Sequence, residues 1–198
     1  MTTQVHVLVF EGFADWEPAF ALAELRRSGH LDVVTVGFDR AAVTSMGGLR
    51  VLPDRALSDV RAEQVRILIL PGGDLWERED GYPRAELEEL LSRVGDAARP
   101  IAAICGATIA LARAGLLDER RHTSNGSTYL SETAPTYRGA ARYESVPAVR
   151  DRGIITASGL GPVDFAREIF AELELFGAAD AALWYDMFKH GALPETAS

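Results

Sequence analysis

An α/β fold, with a mostly parallel sheet covered by helices on both faces, is what this sequence predicts. Three observations carry the expectation. Short apolar and β-branched runs recur at residues 5–10, 33–38, 67–70 and 100–104. Segments with helical apolar spacing follow most of these runs, and glycine-containing turns stand where the runs end.

Residues 5–10 read as a strand buried on both faces, ending at Glu11-Gly12. Asp15 is placed to cap the next helix, which carries Phe20, Leu22 and Leu25 through Arg26 and Arg27 to a stop near Ser28-Gly29. Residues 33–38 repeat the strand pattern. Residues 43–45 and 49–52 read as a hairpin around Met46-Gly47-Gly48. The run 67–70 stops at Pro71-Gly72-Gly73, after which Leu87, Leu90, Leu91 and Val94 mark a helix over 82–94. Residues 100–104 form another strand, and Cys105-Gly106-Ala107-Thr108 leads directly into a helix over 109–114, closed by Gly115. Residues 142–149 and 153–157 read as paired strands. Gly161-Pro162 opens a helix bearing Phe165, Ile169, Leu173 and Phe176, and a last helix covers 178–190.

The 198 residues suit a single domain, 1–198, able to bury a core without disulfides. With 29 acidic against 20 basic residues the formal charge is −9, which argues against nucleic acid or an anionic membrane as partner. No apolar run approaches the roughly 20 residues that span a bilayer, and the opening residues lack the basic and apolar regions of a secretory leader, so the cytoplasm is the expected location. One cysteine cannot form an internal disulfide, and the four histidines are scattered. No metal is expected. Gly72-Gly73 lacks a phosphate-binding fingerprint, and no organic cofactor is expected either.

Cys105 stands at a strand-to-helix junction, at the end of the sheet where ligands of such folds bind. A nucleophile at that elbow needs small neighbours, and Ala103-Ile104-Cys105-Gly106-Ala107 supplies them. The helix that follows aims its N-terminal amides at the sulfur, which favours thiolate. Gly106, with Gly72 or Gly73, is placed to supply the N–H donors of an oxyanion site. The alternative is a small buried packing residue, the commonest fate of a free cysteine.

Together these residues resemble the ThiJ/PfpI superfamily, relatives of class I glutamine amidotransferases. The resemblance rests on the opening strand with Gly12 and Glu17, on Leu70-Pro71-Gly72-Gly73, on the segment around Cys105, on His122, and on residues 156–162. It implies a flavodoxin-like three-layer α/β/α sandwich with a nucleophile elbow at Cys105. It also implies that Glu17, as a protonated acid, hydrogen-bonds the sulfur, that His122 approaches it as base and acid, and that the chain forms a homodimer. Three departures narrow the activity. Gly106 follows the cysteine where protease-like members carry histidine, the late His-x-Glu of the amidotransferases is absent, and Glu17 stands where isonitrile hydratase-like members carry aspartate. The expected function is a cysteine-dependent, stress-response enzyme acting on a small carbonyl or amide substrate, of glyoxalase, deglycase or amidase type. A redox sensor oxidised at Cys105 and a non-catalytic dimeric scaffold are the alternatives.

Overall fold

The computed structural model describes residues 3–78 and 80–193. Strand β1 (Gln4–Leu8) leads to helix α1 (Trp16–Arg27), then to β2 (Val33–Gly37) and a small hairpin of β3 (Val43–Thr44) and β4 (Arg50–Val51). The chain continues through β5 (Arg55–Ala56), β6 (Val65–Leu70), α2 (Arg84–Asp96) and β7 (Ile101–Ile104) to α3 (Thr108–Arg113). It ends with α4 (Tyr129–Thr133), β8 (Ala148–Asp151), β9 (Ile154–Ala157), α5 (Pro162–Leu173) and α6 (Ala178–His190).

The main sheet has seven strands in the order β5-β2-β1-β6-β7-β9-β8. All neighbours pair parallel except β8 with β9, which form the antiparallel edge. The central strands are buried on both faces, as their unbroken apolar runs require. Val5, Val7, Ile67, Ile69, Ala102, Ile104 and Ile155 pack against one helical layer with Leu25, Phe165 and Trp184 of α1, α5 and α6. The alternate residues Leu8, Leu68, Leu70, Ile101 and Ala103 pack under α2 and α3 with Leu87, Leu90, Leu91 and Leu111. Each fully buried Leu or Ile side chain is worth roughly 1.5–3 kcal/mol of transfer free energy, so these two cores set the sheet's position. The three-layer sandwich anticipated from the sequence is the fold observed.

Several boundaries differ from the sequence expectation. Asp15 does not cap α1; its carboxylate bonds the Ser45 hydroxyl and accepts from Gly47 N–H at 3.2 Å, strapping the small hairpin to the β1–α1 loop. The strand expected from residue 142 begins at Ala148, because residues Ala140–Arg142 form a 3-10 turn. Phe176 lies beyond α5, where Glu174 takes a left-handed cap at φ 53°. Among the described residues no helix is long and apolar enough to cross a membrane.

Candidate active site

The C-terminal ends of β1, β6, β7 and β9 release four loops to the same end of the sheet, and the site is built where they meet. Cys105 directly follows β7 and holds φ at +59°, a left-handed conformation that costs a non-glycine residue about 1–2 kcal/mol. Its carbonyl accepts from the Thr108 hydroxyl at 2.7 Å, which closes the elbow into a 3-10 turn running straight into α3. Strain retained at a half-buried nucleophile is a mark of a functional position.

Glu17 comes from the first turn of α1 and is only 2% exposed. Its Oε2 accepts from Gly72 N–H at 2.5 Å, and its carboxyl also hydrogen-bonds the Cys105 thiol. Burial pushes the Glu17 carboxyl up to about 7, against the opposing pull of those two contacts. Burial also pushes the Cys105 thiol up to about 11; the neighbouring Glu17 charge adds to the rise, and hydrogen bonds from Asn125 and Gly106 N–H pull it back. Burial and the Glu17 charge therefore oppose the helix amides at the sulfur, a pull the sequence reading did not include.

The glycines admit this contact by having no side chain. A Cβ on Gly72 would stand 2.7 Å from both Cys105 Cβ and Glu17 Oε2, and one on Gly159 would stand 2.9 Å from Sγ. Gly106 N–H reaches the sulfur. The Gly72 N–H is committed to Glu17, so it is not a donor to an oxyanion; Gly73 N–H has no partner among the described residues and is the remaining candidate beside Gly106.

His122 is not brought to the sulfur by any hydrogen bond. It is fully buried, its Nδ1 lies 2.7 Å from Arg120 O and its Nε2 2.6 Å from the Tyr137 hydroxyl, and its ring meets Tyr137 and Tyr143 edge-on. Burial lowers its pKa, so the neutral ring is favoured. With both nitrogens engaged it pins the 120–125 loop, and the base role expected of it has no contact to rest on.

Asn125, three residues on, is the residue that reaches the cysteine, and sequence reasoning missed it. Its Nδ2 donates to Sγ at 3.3 Å while its Oδ1 accepts from Gly159 N–H at 3.0 Å. Nearby, the Tyr129 hydroxyl donates to Glu77 Oε1 at 2.8 Å. The only local signal was a polar Ser124-Asn125-Gly126 turn, which reads as an ordinary loop. An open cleft of about 300 Å³, with Asn125, Tyr143, Ser145, Ser158 and Leu160 on its walls, adjoins this end of the site.

A doubly covered parallel sheet with a strained cysteine elbow, a buried acid on its sulfur and a glycine turn beside it defines a class of cysteine-elbow α/β proteins. The DJ-1/PfpI family model matches residues 3–172. A Bacillus subtilis protein, called uncharacterized protease YoaZ, is 38% identical over 198 aligned residues, covering 95% of this chain and 91% of that protein. The crystal structure of the thiJ/pfpI family protein from Bacillus anthracis superposes with a TM-score of 0.89 at 38% identity, covering 97% of this chain and 92% of that one. A Pyrococcus abyssi protein named as a deglycase is 31% identical over 121 residues, 61% of this chain and 71% of its own. The chain belongs to the DJ-1/PfpI family.

Proposed function

We propose that the protein is a cysteine-dependent enzyme acting on small carbonyl compounds, with 2-oxoaldehydes such as methylglyoxal as the substrate class. The observation that supports this reading is Glu17, an acid in contact with the thiol whose pKa is moved to about 7, where it exchanges protons at neutral pH. As carboxylate, Glu17 takes the thiol proton while sulfur attacks the carbonyl carbon. A C–S bond forms, the carbonyl π pair moves to oxygen, and Glu17 returns the proton to that oxygen, leaving a hemithioacetal. Gly73 and Gly106 N–H are the donors available to the oxygen as charge develops.

Carbonyl addition expels no leaving group. Carbonyl addition needs only the one proton that Glu17 carries, whereas amide cleavage needs a further proton delivered to a departing amine; among the described residues no histidine hydrogen-bonds the sulfur to share that task, which favours the carbonyl reading over the amidase one. The deglycase name of the Pyrococcus relative points the same way.

The test is conversion of methylglyoxal by the purified chain and by Cys105→Ala. Turnover by the parent and its loss in the variant are expected. Equal turnover in both, or none in the parent, ends the reading.

A further inference from the structure

We propose that the pocket walled by Arg99, Arg120 and Arg152 is a second ligand site, which binds the phosphate group of a small molecule. It lies at the end of the sheet opposite Cys105, where β7 and β9 begin at Ile101 and Ile154, and it does not depend on the function proposed above.

The cavity has a volume of about 290 Å³, and three separate segments bring one arginine each to its wall: the α2–β7 loop, the segment after α3 and the β8–β9 turn. Glu172 of α5 adds an acid to that wall, but its Oε2 is already bonded to Arg150 Nη1 at 3.1 Å, so the wall keeps an excess of positive charge in a chain of net charge −9. The arginines are underused. Among the described residues the Arg99 side chain has no hydrogen bond or ion pair, and its Nε and that of Arg120 are shut off from solvent without a partner. Arg120 Nη1 donates to Leu116 O at 3.0 Å, while Arg152 donates to Glu119 O and sets its Nε 3.5 Å from Asp151 Oδ1. Withdrawing a guanidinium N–H from water without a partner costs free energy that the chain does not recover by itself. An anion in the pocket recovers it.

Helix capping does not account for the cluster. Helices α2 and α3 end at this pocket, and their dipoles favour cations there. Their last carbonyls, however, are already taken by backbone N–H groups: Val94 O by Arg99, Gly95 O by Ala98, Leu111 O by Leu116 and Ala112 O by Gly115. The guanidiniums of Arg99 and Arg120 are thus left with planar forks of N–H donors to offer a ligand. A tetrahedral oxyanion presents oxygens in several directions and suits donors arriving from three segments, whereas a planar carboxylate suits one fork. A phosphate monoester carries a charge of about −1.5 to −2 at pH 7, which answers the excess on the wall. The volume, at the lower end of small-molecule sites, leaves room for a modest organic portion beside the phosphate.

The experiment is a thermal melt of the purified chain titrated with inorganic phosphate, glycerol 2-phosphate or acetate, the ionic strength being held constant with sodium chloride. Both phosphates are expected to raise the melting temperature saturably, by about 3–6 °C at roughly tenfold excess over Kd, and acetate to leave it unchanged. Arg99→Met and Arg120→Met are each expected to weaken phosphate binding by about tenfold or more. Phosphate also stabilises proteins by exclusion from their surface, an effect that does not saturate and is the same in parent and variants. A parent rise that fails to saturate, or one that both variants retain in full, therefore overturns the site, and acetate binding as tightly as phosphate overturns its assignment to phosphate. Tighter binding of the ester than of inorganic phosphate assigns the rest of the cavity to an organic portion; equal affinities assign free phosphate as the ligand. Melts without ligand show whether each variant folds, and if the two half-buried positions do not tolerate methionine, Arg152→Met, altered at an exposed position, decides in their place.

Discussion

Glu17 and Cys105 share a hydrogen bond inside a buried pocket, so their protons leave in coupled steps. Below about 7 the Glu17 carboxyl is protonated and cannot take the thiol proton; above it the carboxylate is available while the thiol, raised to about 11, still carries one. Activity on a neutral aldehyde is therefore expected to rise with pH through about 7 and level off beyond it. Glu17→Gln keeps an oxygen for Gly72 N–H but cannot accept a proton. Measured as kcat/KM against pH, this variant should lose the rise near neutrality and fall by about 10²-fold or more. A parent profile flat from pH 5 to 9 would remove Glu17 from proton transfer.

At the scale of elements, the elbow between β7 and α3 carries a cost that can be measured. Cys105 sits at φ +59°, a region glycine enters freely and other residues do not. Both Cys105→Gly and Cys105→Ala remove the sulfur, but only glycine relieves the backbone. The glycine variant should be the more stable of the two by about 1 kcal/mol in chemical denaturation, and equal stabilities would show that the turn is unstrained. This elbow was legible because its signal is local, with strand, small residues and helix adjacent in the chain. The same holds for β1, β6 and β7, whose apolar runs announce burial on two faces. Strand β5 has only two residues, Arg55 and Ala56, and α4 only five, too short for any period to register. Glu17 and the glycine turn were readable from motifs. Asn125 was not, because folding alone brings it to Cys105, 20 residues away, and to Gly159, 34 residues away, and an amide carries no chemical label of its own.

Across the whole molecule, the two helical layers are closed differently. The layer of α1, α5 and α6 is completed near the C-terminus by Trp184, which meets Phe170 edge-on, and by Lys189, whose Nζ lies 2.7 Å from Asp164 Oδ2. Burial alone would raise Asp164, but hydrogen bonds from Lys189 and Tyr185 win and hold it below the usual carboxylate value. A carboxyl lowered in the folded state contributes stability that is present above its unfolded pKa of about 3.9 and lost as pH falls through the folded value. Lys189→Met should therefore cost about 1–2 kcal/mol at pH 7 and progressively less as pH falls into the acid range, measured by urea denaturation across it; an undiminished difference in acid would assign the loss to packing instead. The acid–thiol pair has a consequence for what the molecule admits. Between the two titrations the pocket holds one proton for two sites and so one negative charge, and the contacts identified on the sulfur come from neutral or acidic groups. The chain as a whole carries −9. A 2-oxo acid thus meets like charge twice, weakly at long range through salt and strongly at contact, whereas an uncharged aldehyde meets neither. On the proposed carbonyl chemistry, the acidic composition and the shared proton would act together as a filter by charge, favouring reactive neutral carbonyls over carboxylates of similar shape.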